Sequence, residues 1–192
     1  PMWMVSSCLS GVSGVSGVGY ANALRYPREH LDEFTRQTAE AMARSDLSVV
    51  TLLDNVADTE DVDYVADRLH AYTRFDNIDG GVWELDPDRY CSGKGRIFWS
   101  DGKPFVSVRF TMWYPTGNPA DVNKEWLENM AEQVNAMPVA PESEDGYTVV
   151  NVHPWTMSQA DVDYFVSKLD GDKVELVYAD ELIKLVKNNV KR

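Results

Sequence analysis

Short apolar runs separated by amphipathic stretches constrain this chain more than any other feature. Four runs have strand length: residues 2–7, 47–53, 147–152 and 174–178. Between them apolar residues recur with helical spacing. Leu31, Phe34, Thr38 and Met42 form one stripe, and Val62, Val65, Ala66 and Leu69 another. Val122, Trp126, Met130 and Val134 recur every four residues. Val162, Phe165, Val166 and Leu169 follow Ser158, with Asp161 placed three residues on as a capping-box partner. Leu182, Leu185, Val186 and Val190 form the last stripe. Strands alternating with helices predict an α/β fold, a mostly parallel sheet with flanking helices. Four or five such units are too few to close an eight-stranded barrel, which leaves part of an incomplete (β/α) barrel or a small open sheet. The barrel piece is the expectation. Residues 1–192 are expected to form a single α/β domain, and a chain that opens inside a strand pattern reads as a fragment of a longer protein.

One stretch departs from this rhythm. Residues 96–99, a turn at Asp101-Gly102, and residues 105–113 predict a β-hairpin insertion. In its second strand Val106, Val108, Phe110 and Met112 alternate with Ser107, Arg109, Thr111 and Trp113. The preceding residues 76–95 are polar, glycine-rich and poorly periodic, so a long functional loop is expected there.

Charge narrows the partners. The chain carries 18 basic and 31 acidic residues, a net charge of −13. Nucleic acid and other polyanions need a basic patch that this balance disfavours; neutral carbohydrate or a cationic ligand fits better. No apolar run approaches the roughly 20 residues of a spanning helix, so membrane insertion is not expected. Cys8 and Cys91 match no metal spacing and read as free or buried thiols. His30, His70 and His153 stand in different contexts, which argues against a metal centre. No cofactor is expected.

The two ends of the chain carry a family likeness. Gly17-Val-Gly-Tyr20, with Tyr26-Pro27 a few positions on, resembles the glycoside hydrolase family named for its GxGYxYP motif. The likeness continues through Leu31-Asp-Glu-Phe34, Asp54, Phe75-Asp76, Ile97-Phe-Trp-Ser-Asp-Gly-Lys-Pro104 and Ser107-Val-Arg109. It closes on Glu144-Asp-Gly-Tyr-Thr-Val-Val-Asn-Val-His-Pro-Trp155, and so spans nearly the whole chain. The signature is stretched, since residues 21–25 separate Tyr20 from Tyr26-Pro27. The resemblance implies a glycoside-hydrolase-like domain that acts on or binds neutral glycans. It also implies an N-terminal portion of the same protein as a partner, and a secreted or periplasmic bacterial location, although no signal peptide is visible in this chain.

Within that reading, candidate residues follow from position. The run ending in Asn151, His153 and Trp155 delivers a histidine and a tryptophan to a strand's C-terminal end, where α/β proteins build sites. Asp54 closes the second run, where a catalytic carboxylate would stand; a turn or cap is its plain alternative. Glycoside hydrolysis needs a second carboxylate, and Asp76, Asp79 and Glu84 of the expected loop are candidates. Asp54, Asp76 and His153 are therefore the expected catalytic set. Tyr20, Arg109, Trp155 and Asn151 are the expected substrate contacts. Aromatic residues at strand ends suit stacking on sugars, though ordinary packing also accounts for many of them. The glycine-rich residues 11–19 lack the Gly-Lys-Ser/Thr ending of a phosphate loop. They read as a rim loop carrying Tyr20. A non-catalytic glycan-binding or structural fragment is the alternative. A metal-dependent deacetylase is a third reading, for which the ligand spacing is missing.

Overall fold

The computed structural model describes residues 2–6, 12–54, 62–85, 94–113 and 122–191. Cys8, Gly11, Tyr90 and Cys91 lie outside them. In chain order the elements are β1 (Met2–Ser6), β2 (Val12–Val15), α1 (Arg28–Arg44), β3 (Val49–Asp54), α2 (Val62–Thr73), β4 (Gly80–Leu85) and β5 (Ile97–Ser100). There follow β6 (Lys103–Ser107), β7 (Phe110–Met112), α3 (Lys124–Asn135), β8 (Tyr147–Val152), α4 (Gln159–Ser167), β9 (Val174–Leu176) and α5 (Ala179–Asn189).

The strands form two sheets, ordered β7-β8-β1-β9 and β2-β3-β4-β6-β5. Every pairing is parallel except β5 with β6. That one antiparallel pair is the expected hairpin, and its turn residues Asp101 and Gly102 both have positive φ, 49° and 75°, as a two-residue hairpin turn requires. The hairpin's second strand does not run straight through. It pairs with β4 as β6, breaks at residues 108–109, and pairs with β8 as β7. At the break the Val108 N–H donates to the Trp83 carbonyl and the Arg109 N–H to the Val149 carbonyl, each at 3.0 Å. One stretch of chain thus belongs to both sheets. The α/β fold with a mostly parallel sheet is as expected, but the described strands form no closed sheet.

Three layers of side chains hold this together. Leu31, Ala39 and Met42 of α1 and Val65 and Leu69 of α2 cover Val50, Leu52, Trp83, Leu85 and Phe105 on one face. On the same side of the other sheet, Leu127, Met130 and Val134 of α3 and Phe165 of α4 cover Met2, Met112, Val150 and Val152. Among the described helices, α5 is the one that covers the opposite face. Its Leu182, Ile183 and Val186 pack on Val49, Val82, Val106 and Val108, and also on Tyr147 and Val149. Because strand side chains alternate between faces, these sets define two sides, and α5 bridges both sheets on one of them.

Local sequence explains most of the elements. Burial in α1 falls on Leu31, Thr35, Thr38, Ala39 and Met42, a helical stripe. The expected capping box starts α4: the Ser158 side chain accepts from the Asp161 N–H, and the Asp161 carboxylate accepts from the Ser158 N–H at 2.9 Å. The long loop expected over residues 76–95 is not found as such, since residues 80–85 form the buried central strand β4. Its opening glycines hid it. A side chain at Gly81 would meet the Phe105 ring at 2.6 Å, so glycine here serves close packing against β6 rather than a turn.

Candidate functional site at the C-terminal edge of the strands

The face covered by α5 is apolar only over the lower half of the strands. Beyond Val49, Val82 and Val149, the same alternation brings Leu53, Glu84 and Asn151 toward the C-terminal edge. Thr111, paired in register with Asn151, joins them from β7. Glu84 is half-buried, and burial alone pushes its carboxyl up to about 7, because the charged form loses solvation. Asn151 is 7 % exposed. The Thr111 hydroxyl is buried without a hydrogen-bond partner among the described residues.

The edge rises beside this into an aromatic cluster. The His153 ring stacks on Trp113 with centroids 3.9 Å apart and planes within 4°. Trp155 meets the histidine edge-on at 5.0 Å and is 77 % exposed. The register of β7 with β8 creates this stack, and the His153 N–H donates to the Met112 carbonyl at 3.1 Å. Burial lowers the pKa of His153, so the imidazole is neutral at neutral pH and continues a flat, uncharged aromatic surface.

On the other side of the edge, residues 16–27 loop out after β2 and return where Asn22 bridges to Leu53. This loop is fastened from behind. Leu53 N–H donates to Ser16 Oγ at 3.4 Å, the Tyr72 hydroxyl to the Ser16 carbonyl at 3.3 Å, and Val18 N–H to Thr38 Oγ1 at 3.3 Å. Arg68 Nη1 donates to the Tyr26 carbonyl at 2.6 Å, and the Tyr64 hydroxyl to the Leu24 carbonyl. Asp54 completes the fastening: Oδ1 accepts from the Leu24 N–H and Oδ2 from the Trp83 indole N–H, both at 2.8 Å. Asp54 is fully buried. Burial pushes its carboxyl up to about 7 against the pull of those two donors and of Arg25 and Arg68. Out of this anchored loop Tyr20 projects 76 % exposed.

A family model described as the GxGYxYP putative glycoside hydrolase C-terminal domain matches residues 12–187. The chain belongs to this family. Among solved structures it is similar to one described as a putative hydrolase from Bacteroides thetaiotaomicron VPI-5482, at 29 % identity and a TM-score of 0.77. That similarity covers 93 % of this chain and 33 % of the other, so the chain spans about a third of that protein's length. No curated protein matches the chain.

In this GxGYxYP domain the stretched signature is the anchored loop just described: Gly17, Gly19 and Tyr20 on its outer turn, Tyr26 and Pro27 at its return into α1. The residues singled out from sequence fall into three places. Tyr20, Asn151, His153 and Trp155 come to the C-terminal edge of the strands. Asp54 also ends a strand there, but it shares a face with Leu52 and Trp83, the face covered by α1 and α2, whereas Glu84 lies on the face of α5. Asp76 is exposed in the turn before β4 and bears on Lys103. It is at the wrong end of that strand, since about 13 Å of β4 separates Gly80 from Glu84. Arg109 reaches back to Asp145 Oδ1 at 3.3 Å and lies against Gly95. Asp145 precedes β8, so this pair sits at the end of the strand away from Asn151. Glu84, one of the candidates for the second carboxylate, stands at this edge on β4, and Trp113 joins it from the end of β7. Alternation of Val82 and Glu84 against Trp83 and Leu85 is the signal that marks Glu84, once Gly80-Gly81 is read as part of a strand.

Proposed function

We propose that the domain binds neutral glycans along the C-terminal edge of its strands and that Glu84 is the acid of a glycoside hydrolysis there. The observation that carries this reading is Glu84 itself: a carboxyl with a pKa of about 7 on the same edge as the Trp113–His153–Trp155 cluster. A carboxyl that holds its proton near neutral pH can donate it to a glycosidic oxygen as the C–O bond breaks. Water supplies the hydroxyl to the sugar carbon, and the proton that water releases needs a second carboxylate as base, or as nucleophile in a two-step route. Asp54 is a poor fit for that second role, because both its oxygens accept buried N–H groups on the other face. Asp58, Glu60, Asp61, Asp86 and Asp88 follow β3 and β4 in sequence and are the nearest acidic candidates along the chain. The aromatic cluster supplies the stacking surface, and Asn151 supplies a hydrogen bond to a sugar hydroxyl. The net charge of −13 favours a neutral glycan over an acidic one.

The alternative reading is glycan binding without turnover. It is favoured by one observation: Asp54, the other described carboxylate that ends a strand at this edge, faces away from Glu84 with both oxygens engaged. Release of reducing sugar from neutral oligosaccharides, compared between the protein and Glu84→Gln, separates the two. Turnover that vanishes in the variant while binding persists supports hydrolysis. Binding without turnover in either protein supports the alternative, and turnover unchanged in the variant removes Glu84 from the mechanism.

A further inference from the structure

The order of groups along the strand edge says what length of glycan the site takes, given the reading of that edge as a glycan site. The sheets run β3, β4, the shared β6–β7 stretch, then β8. Tyr20 belongs to the loop that returns beside Leu53 of β3, Glu84 stands on β4, Trp113 follows β7, and His153 and Trp155 follow β8. Neighbouring strands lie about 4.8 Å apart. Asn22 bridges β3 on the side away from β4, so Tyr20 is anchored about two strand spacings to one side of Glu84, and the aromatic cluster one to two spacings to the other. The acid is flanked by aromatics on both sides.

Both flanks are prepared rather than incidental. Tyr20 and Trp155 are the two most exposed large hydrophobic side chains among the described residues, at 76 % and 77 %. Gly19, not Tyr20, is the residue that backs onto Phe34 of α1, at 3.6 Å from an ideal Cβ. The loop behind Tyr20 is tied down by Ser16, Thr38, Asp54, Tyr64, Arg68 and Tyr72. Six fastenings to a turn that presents one bare aromatic ring give a preorganised contact, which loses little entropy on binding. On the far side, the Trp113–His153 stack fixes the surface beside which Trp155 stands.

We infer that the edge holds an extended neutral oligosaccharide with sugar units on both sides of Glu84, Tyr20 stacking on one and Trp155 on another. The substrate class is then an internal linkage of a chain of about three or more sugars, rather than a terminal sugar held in a closed pocket. Tyr20 is a specificity-determining residue for chain length, and touches no sugar when the ligand is a single unit seated on the tryptophan side.

The test is binding of neutral gluco-, manno-, galacto- and xylo-oligosaccharides of one to six units, by calorimetry, to the protein and to Tyr20→Ala, Tyr20→Phe and Trp155→Ala. Both side chains are exposed, so folding is not at stake. The expected result is affinity that climbs with length up to about four units. Tyr20→Ala should remove roughly three- to tenfold from the long ligands and nothing from the monosaccharide, and Tyr20→Phe should restore it, as loss of one stacking contact predicts. Trp155→Ala should weaken short and long ligands alike. Affinity independent of length, or a Tyr20→Ala loss equal for one unit and for six, overturns the extended site while leaving a glycan site in place. Failure of every glycan to bind overturns the proposed function, and this inference with it.

Discussion

Asp54 and Glu84 sit on adjacent strands near the same edge, and burial pushes both carboxyls to about 7. Their surroundings differ completely. Asp54 is sealed on the helix side with a donor on each oxygen, whereas Glu84 is half-buried on the other face with burial as the one cause of its shift. A raised pKa therefore does not by itself mark an acid for catalysis. The proton must also be reachable, and only Glu84 meets that condition. Asp54 instead joins the signature loop to β4, and through Trp83 it grips the residue next to Glu84.

The strongest way to break this comparison is to remove each carboxyl and read stability. Asp54→Leu leaves the buried Leu24 and Trp83 N–H groups without acceptors, an expected loss of about 2–5 kcal/mol in denaturant unfolding. Glu84→Leu should cost less than about 1 kcal/mol or stabilise, since it removes a desolvated acid. Equal losses would end the distinction. Next in size, Glu84→Gln should lower any glycan turnover by about 100-fold or more with the melting temperature unchanged or raised. A comparable fall in Asp54→Asn without loss of stability would transfer the acid's role to Asp54.

The pH dependence sharpens the comparison further. In both groups the folded-state pKa is raised above its unfolded value, so the native state holds the proton more tightly. The stability they contribute is present in full below about pH 4 and is lost as pH rises through about 7. Chemical denaturation across that window should show each single variant, Asp54→Leu and Glu84→Gln, with a flatter fall than the parent, by about 1–3 kcal/mol over the range. Carboxylates with lowered pKa, such as Asp101 beside Thr73 and His70, slope the other way in parent and variants alike and cancel in the difference. The smallest effect is expected at the rim: Trp155→Ala should leave stability within about 0.5 kcal/mol while weakening glycan binding several-fold.

Much of the fold was legible because its signals are local. The stripes of α1 and α5, the Ser158–Asp161 capping box, the run that became β8 and the Asp101-Gly102 turn all depend on residues close in sequence. β2 and β4 were hidden because glycines interrupt both, Gly14 in one and Gly80-Gly81 in the other; for Gly80 and Gly81 the reason is a neighbour far along the chain, Pro104 and Phe105. The site was less legible for a related reason. That Asp54 ends a strand could be read directly, but the face it occupies depends on register, and one residue of slip reverses it. Asp76 was drawn into the site by the same error that made β4 a loop. The Trp113–His153 stack joins residues forty positions apart through the β7–β8 pairing, and no local pattern announces it.

The bridging position of α5 has a consequence for how this domain comes into being. The helix is the last of the described elements to be synthesised, yet it covers the inner face of both sheets. Until it docks, Val49, Val82, Val106 and Val149 remain open to solvent, and the two halves are joined mainly through one kinked strand. Completion of the domain is thus a late, long-range event, with an apolar surface exposed until residues 179–189 have emerged and docked.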